Sequence, residues 1–157
     1  MFRYLIETLG CDVNARDNDE NTPLHYPLDD FHPGFGVDGI INLTYLLNQR
    51  GANGNIGNKK SHTLLHIACG KVHKFSLEIF QYLIETKGFD VNARDYRRST
   101  TPVHNALLYF DPDDGGDINV LHYLLSQEGV NAESLSFVTN PLLHYACSNI
   151  NNLPIEV

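Results

Sequence analysis

The chain has 157 residues, 42% of them hydrophobic and 19% charged, enough apolar surface for a packed core and too much for a disordered chain. Acidic side chains outnumber basic ones 19 to 11, and the net charge of -8 speaks against a nucleic-acid binder and against a membrane-surface protein, both of which rely on Lys and Arg. Apolar stretches are broken every few residues, so no spanning helix is expected, and three cysteines give no disulfide framework and fit a reduced, cytoplasmic setting.

In chain order, Met1 to Gly10 reads as an amphipathic helix stopped by glycine. An extended stretch, Asp12 to Asp17, leads to Thr22-Pro23, an N-cap followed by a first-turn proline whose missing N–H costs nothing there. Pro27 lies several residues into that helix and predicts it short or bent, because a regular helix would lose about 3 kcal/mol. After a loop, a second helix runs to Gly51. Asn53-Gly54-Asn55 stands where Asp12-Val13-Asn14 and Asp90-Val91-Asn92 stand elsewhere, and is expected to be looser. Thr63 caps the next helix, which Gly70 ends. Ile79, Phe80, Leu83 and Ile84 then fall at helical spacing before the stop at Gly88. A further extended turn, a helix from Thr101-Pro102 and a second helix ending at Gly129 follow. Beyond them the hairpin lacks its Asp, one more first helix is predicted around Pro141 to Asn149, and Leu153 to Val157 starts another second helix.

These elements repeat. Tyr4 to Asp17 (YLIETLGCDVNARD) returns as Tyr82 to Asp95, shifted by 78, with Leu9 becoming Lys87 and Cys11 becoming Phe89. Leu64 to Cys69 returns as Leu142 to Cys147 with the same shift, and Leu28, Phe31, Pro33, Gly36 and Asp38 reappear shifted by 79. A shorter period lies inside the long one, marked by His25, His66, His104 and His144 at separations of 41, 38 and 40. Each unit reads as helix, loop, helix, glycine stop and extended turn.

TPLH, a second helix closed by glycine and DVNARD, recurring in phase, resemble the ankyrin repeat, whose usual period is about 33 residues. The extra length sits between the two helices: His25 to Leu47 is 22 residues, His66 to Ile84 is 18 and His104 to Leu125 is 21. The expected fold is therefore an all-α ankyrin-repeat solenoid of stacked helix-loop-helix units with short extended hairpin turns. We read a single array over 1–157, with a partial unit at 1–10, fuller units at 11–51, 52–88 and 89–129, and a partial unit at 130–157. Apolar residues such as Leu5, Ile6, Leu143 and Tyr145 do not resemble the polar outer face of a capping repeat. An excised piece of a longer array, prone to head-to-tail self-association, is the expectation that follows.

Chemistry has little support. His62, His66, Cys69 and His73 have spacings that would line one face of a continuous helix and invite a zinc reading. Against it, His62 precedes the Thr63 cap and Gly70 ends the helix before His73, while the ankyrin resemblance makes the motif His structural. Asp111 to Asp117 resembles part of a calcium loop but has His122 where an EF-hand has its bidentate Glu, and Asp117 reads as a helix cap. No nucleophile elbow, phosphate-binding loop or His-Glu-x-x-His is present, so no enzyme and no cofactor are expected.

The resemblance implies a protein partner, held on a concave face of hairpin tips and first helices. By position, the tips are Asn18, Asp19 and Asn21, then Lys59, Lys60 and His62, then Tyr96, Arg97 and Thr100, and the matching first-helix positions are Asp29 and Asp30, Gly70 and Lys71, Leu108 and Tyr109, and Ser148 and Asn149. Phe137 and Val138 form a further tip. Tyr and Arg are enriched at hot spots, which singles out Tyr96, Arg97 and Tyr109. Asn14 and Asn92 match the Asn that asparaginyl hydroxylases modify in similar repeats. The alternatives are a structural spacer within a longer repeat protein and an accessory segment of a larger enzyme.

Overall fold

Threonine and aspartate caps start several of the helices, and glycines stop the second helix of each unit. The structure, a computed structural model, describes residues 3–29, 36–96, 99–111, 113, 115–130, 144 and 147. Its helices are α1 (Tyr4–Thr8), α2 (Tyr26–Asp29), α3 (Gly36–Leu47), α4 (Leu64–Cys69), α5 (Leu77–Gln81), α6 (Tyr82–Thr86), α7 (Pro102–Tyr109) and α8 (Ile118–Leu125), with α1 and α6 wound as π-helix and a 3-10 turn at Val72–Lys74 between α4 and α5. There is no strand among the described residues, and the architecture is an all-α solenoid. No helix among them is long and apolar enough to cross a membrane.

First helices α2, α4 and α7 contact one another in succession, and α5 contacts α8 in the row behind. Threonine precedes each first helix, directly at Thr63 and Thr101 and four residues ahead of α2 at Thr22. Thr63 and Thr101 have extended backbone before α4 and α7, and Pro102 opens α7 where its missing N–H is harmless. Asp117 caps α8 by accepting the Asn119 N–H at 2.9 Å. Pro27 is the second residue of α2, whose described span is Tyr26–Asp29.

The second helices end on glycines in the left-handed region, with φ of 67° at Gly10, 84° at Gly51, 67° at Gly88 and 78° at Gly129. A side chain would be strained at all four. In α6 the last turn widens, so that Lys87 N donates to Tyr82 O and Phe89 N to Leu83 O, each at 3.1 Å. The end of α1 does the same through Leu9 N to Tyr4 O and Cys11 N to Leu5 O. Two segments 78 residues apart thus fold alike down to their hydrogen bonds.

The core lies between the two rows, where Leu24, Leu43, Leu46, Leu64, Leu65, Phe80, Leu83, Leu121 and Leu124 are at most 2% exposed. One expectation fails here. Asn53-Gly54-Asn55 is not loose. Gly54 is buried, and a Cβ placed on it would lie 2.0 Å from the Phe89 ring, so the missing side chain is the space that Phe89 fills. Asn55 then ties the turn down, donating to Gly88 O at 3.3 Å and accepting the Asp90 N–H at 3.0 Å. The altered hairpin after Gly129 and the helix predicted from Pro141 lie outside the described residues, apart from His144 and Cys147.

Candidate partner-binding groove

The groove is built by threonine, histidine and the hairpin tips. At the head of each first helix a threonine N–H donates to the Nδ1 of the histidine three residues on: Thr22 to His25 at 3.0 Å in the turn before α2, Thr63 to His66 at 3.2 Å and Thr101 to His104 at 3.1 Å. An accepting Nδ1 carries no proton, so a neutral ring has its hydrogen on Nε2. His25 Nε2 accordingly donates to His62 O at 3.0 Å, and His66 Nε2 to Thr100 O at 3.1 Å, each reaching the next hairpin. Burial pushes the His66 imidazole down to about 4, keeping it neutral at ordinary pH.

The tips are organised by a short polar side chain at their base. Asp17 Oδ1 accepts from the Asp19 and Asn21 N–H groups, Asn58 Oδ1 from those of Lys60 and His62, and Asp95 Oδ1 from that of Thr100. Glu20, Ser61 and Ser99 hold the left-handed corner, with φ of 61°, 60° and 56°. Tips join edge to edge: Lys59 N donates to Asp19 O at 2.9 Å and Tyr96 N to Lys60 O at 3.0 Å. The side chains projecting from them stand on a backbone fixed on both sides.

The residues expected to bind fall into three groups. Tyr96 is 78% exposed and Tyr109 53%, and Asp19, Lys59 and Lys60 are exposed as well. Tyr109 sits beside Gly70 of the preceding first helix, where an added Cβ would come within 3.9 Å of its ring. Two residues are partly built into the fold instead: Lys71 Nζ donates to Leu28 O at 2.9 Å, and Leu108 is half-buried against the core. The Asp29 side chain, Asp30, Arg97, Phe137 and Val138 lie outside the described residues.

Two groove residues, Tyr26 and Asn58, escaped the sequence reading, which places Asn21, Lys60 and His62 on the tips. Asn21, Asn58 and His62, with Tyr26 and Lys60, line a cleft of about 170 Å³ floored by His25 and Ile67. Asn58 was legible in principle, since it stands 41 residues after Asp17 and 37 before Asp95 at the base of the tip. The Tyr26 hydroxyl donates to Asp17 Oδ2, a bond that lowers the carboxyl and raises the phenol.

The candidate metal ligands are directed elsewhere. Both nitrogens of His66 are engaged in the fold, Cys69 is fully buried with its thiol pushed up by burial, and the His62 ring stacks on His66 with centroids 5.5 Å apart. Among the described residues no group of three or more His, Cys, Asp or Glu is placed to hold a metal ion. In the acidic loop, Asp111 Oδ1 accepts the Asp113 N–H at 2.9 Å and Asp117 caps α8, while Pro112 and Asp114 lie outside the described residues.

Asn14 donates from Nδ2 to Gly51 O at 2.7 Å and accepts the Asn53 N–H at 3.0 Å on Oδ1. Asn55 makes the same pair of bonds one hairpin later, a third member of the Asn14 and Asn92 series. The amide pins the glycine stops Gly51 and Gly88 to the turn before each.

Compared with known proteins, the sequence matches the model of the family described as ankyrin repeats (3 copies) over residues 37–136. No curated protein matches it.

Proposed function

The chain belongs to the ankyrin repeat family, whose repeats are generally non-catalytic protein-protein interaction modules, and from that premise we propose that it binds a protein partner along the concave face of hairpin tips and first helices. The observation that carries this reading is the exposure of two large aromatic side chains, Tyr96 at 78% and Tyr109 at 53%, on the elements that make that face. A tyrosine brings about 150–250 Å² of contact area with little conformational entropy to lose, which is why the type recurs at interface hot spots. Rigid tips add to this, because a preorganised backbone loses little freedom on binding. The Lys59 and Lys60 pair and Asp19 would steer encounter and fix register more than they add affinity.

Affinity capture from a source-cell extract, comparing wild type with a Tyr96→Ala, Arg97→Ala, Tyr109→Ala variant, tests the reading once circular dichroism shows both folded. A protein retained by wild type and lost by the variant supports it. Equal recovery points to a spacer whose groove is unoccupied. The compartment we propose is the cytoplasm, where Cys11, Cys69 and Cys147 stay as free thiols. Head-to-tail self-association is proposed too, through the α1 surface, where Tyr4 and Leu9 are each 58% exposed. Light scattering that reports a monomer at high concentration would remove it.

A further inference from the structure

In the cleft between the Asp17–Asn21 and Asn58–His62 tips, Asn21, Asn58 and His25 have their acceptors engaged, and N–H donors are left over. Asn58 Oδ1 accepts two backbone N–H groups, from Lys60 at 2.9 Å and His62 at 3.2 Å. That fixes the amide orientation, and its Nδ2 donates to Asn21 Oδ1 at 2.9 Å. Asn21 Nδ2 in turn lies 3.4 Å from Asp17 Oδ2, which also takes the Tyr26 hydroxyl. His25 accepts on Nδ1 and donates from Nε2 within the fold. What remains is one N–H on each of Asn21 and Asn58, and the Lys60 ammonium, which is exposed and makes no ion pair among the described residues.

We propose that this cleft is a subsite for one carboxylate side chain, Glu or Asp, of the protein partner. The proposal rests on the groove-binding reading above and names the chemistry of one contact within it. At about 170 Å³ the cleft takes a single side chain and falls short of the roughly 300–1,000 Å³ that encloses a drug-sized ligand or cofactor. A carboxylate is acceptor-only and matches donors on opposite walls, whereas a carboxamide would turn its own N–H groups toward them. The bond from Lys60 would be charge-assisted and the stronger for it. Of the neighbouring acids, Asp17 is held by Tyr26 and the tip backbone, Asp95 faces His62 Nε2 at 3.7 Å and Asp19 is exposed on the first tip, and none makes an ion pair with Lys60 among the described residues.

The test is an amide NMR titration near neutral pH with acetyl-Gly-Glu-Gly-amide and acetyl-Gly-Gln-Gly-amide. The proposal expects saturable shifts at Asn21, Asn58 and Lys60 with the Glu peptide. Binding should be at least about fivefold weaker for the Gln peptide and for Lys60→Met, the size of one partly exposed charge pair, and unchanged for Arg50→Met. Equal shifts from both peptides, equal shifts from sodium chloride at matched ionic strength, or no shifts in the cleft would overturn it. The groove reading is tested separately, through Tyr96 and Tyr109, and survives any of those results.

Discussion

Two neighbouring joints of the array hold the same kinds of helix together with different side chains. Between α3 and the continuous α5–α6 rod, the Lys87 ammonium donates to Leu47 O at 3.0 Å and Asn48 Oδ1 at 2.8 Å, and lies 5.5 Å from the Tyr82 ring. Between α6 and α8, the Tyr123 hydroxyl donates to Glu85 at 2.9 Å, and the hairpins meet through Phe89 over Gly54. The joint between α1 and α3 repeats the second pattern, with Tyr45 donating to Glu7 at 3.0 Å. Stacking chemistry therefore alternates, and the duplicated object is a pair of repeats. In the 14-residue block that recurs after 78 residues, the two positions that differ are Leu9/Lys87 and Cys11/Phe89, and Lys87 and Phe89 are the residues that cross these joints.

The sharpest way to break the contrast is Gly54→Val, which gives this hairpin the residue found at Val13 and Val91. With the Phe89 ring 2.0 Å from the new Cβ, the variant should lose about 3 kcal/mol or more in urea unfolding, the upper range of overpacking. Adding Phe89→Ala should recover part of that loss, with a coupling of at least about 1 kcal/mol between the two sites. Additive losses would show that Phe89 does not fill the space Gly54 leaves.

Acid probes the same joint through His66, whose Nε2 crosses it to Thr100 O. The unfolded chain takes up a proton below the ordinary value of 6.5, while the folded ring waits until about 4. Stability should therefore fall as pH drops from 6.5 toward 4, by about 1.4 kcal/mol per unit from this residue. Replacing His66 with Gln should lower stability at neutral pH and remove that part of the slope. An unchanged slope in His66→Gln would assign the acid sensitivity to other groups.

The smallest effects belong to the polar bridges. Lys87→Met should cost about 1 kcal/mol, since it leaves a backbone carbonyl and Asn48 to water. Tyr45→Phe and Tyr123→Phe should cost about 0.5 kcal/mol each and about equally, because they remove the same exposed bond from two equivalent joints. Unequal losses would count against the equivalence.

Local signals were readable in advance. The glycine stops, the Thr-Pro start of α7 and the Asp117 cap each depend on the backbone of a few consecutive residues. The structural role of the histidines came through the family resemblance, and their Nε2 bonds to the next hairpin account for it. What could not be read were dependencies across joints. Gly54 looks permissive until Phe89, 35 residues on, is seen to occupy its side-chain space. Lys71 looks like a groove cation until its bond to Leu28 O appears. The cleft was missed for the same reason, since Asn21 and Asn58 meet only when two tips are joined edge to edge.

The central claim is that the concave face is where a partner sits. Hydrogen-deuterium exchange of the chain alone and with its captured partner tests it most directly. With the partner bound, exchange should slow at the tips around Lys59–Ser61 and Tyr96 and along α7 to Tyr109, with α3 and α8 unchanged. Protection confined to α3, α6 and α8, with the tips exchanging as before, would contradict it.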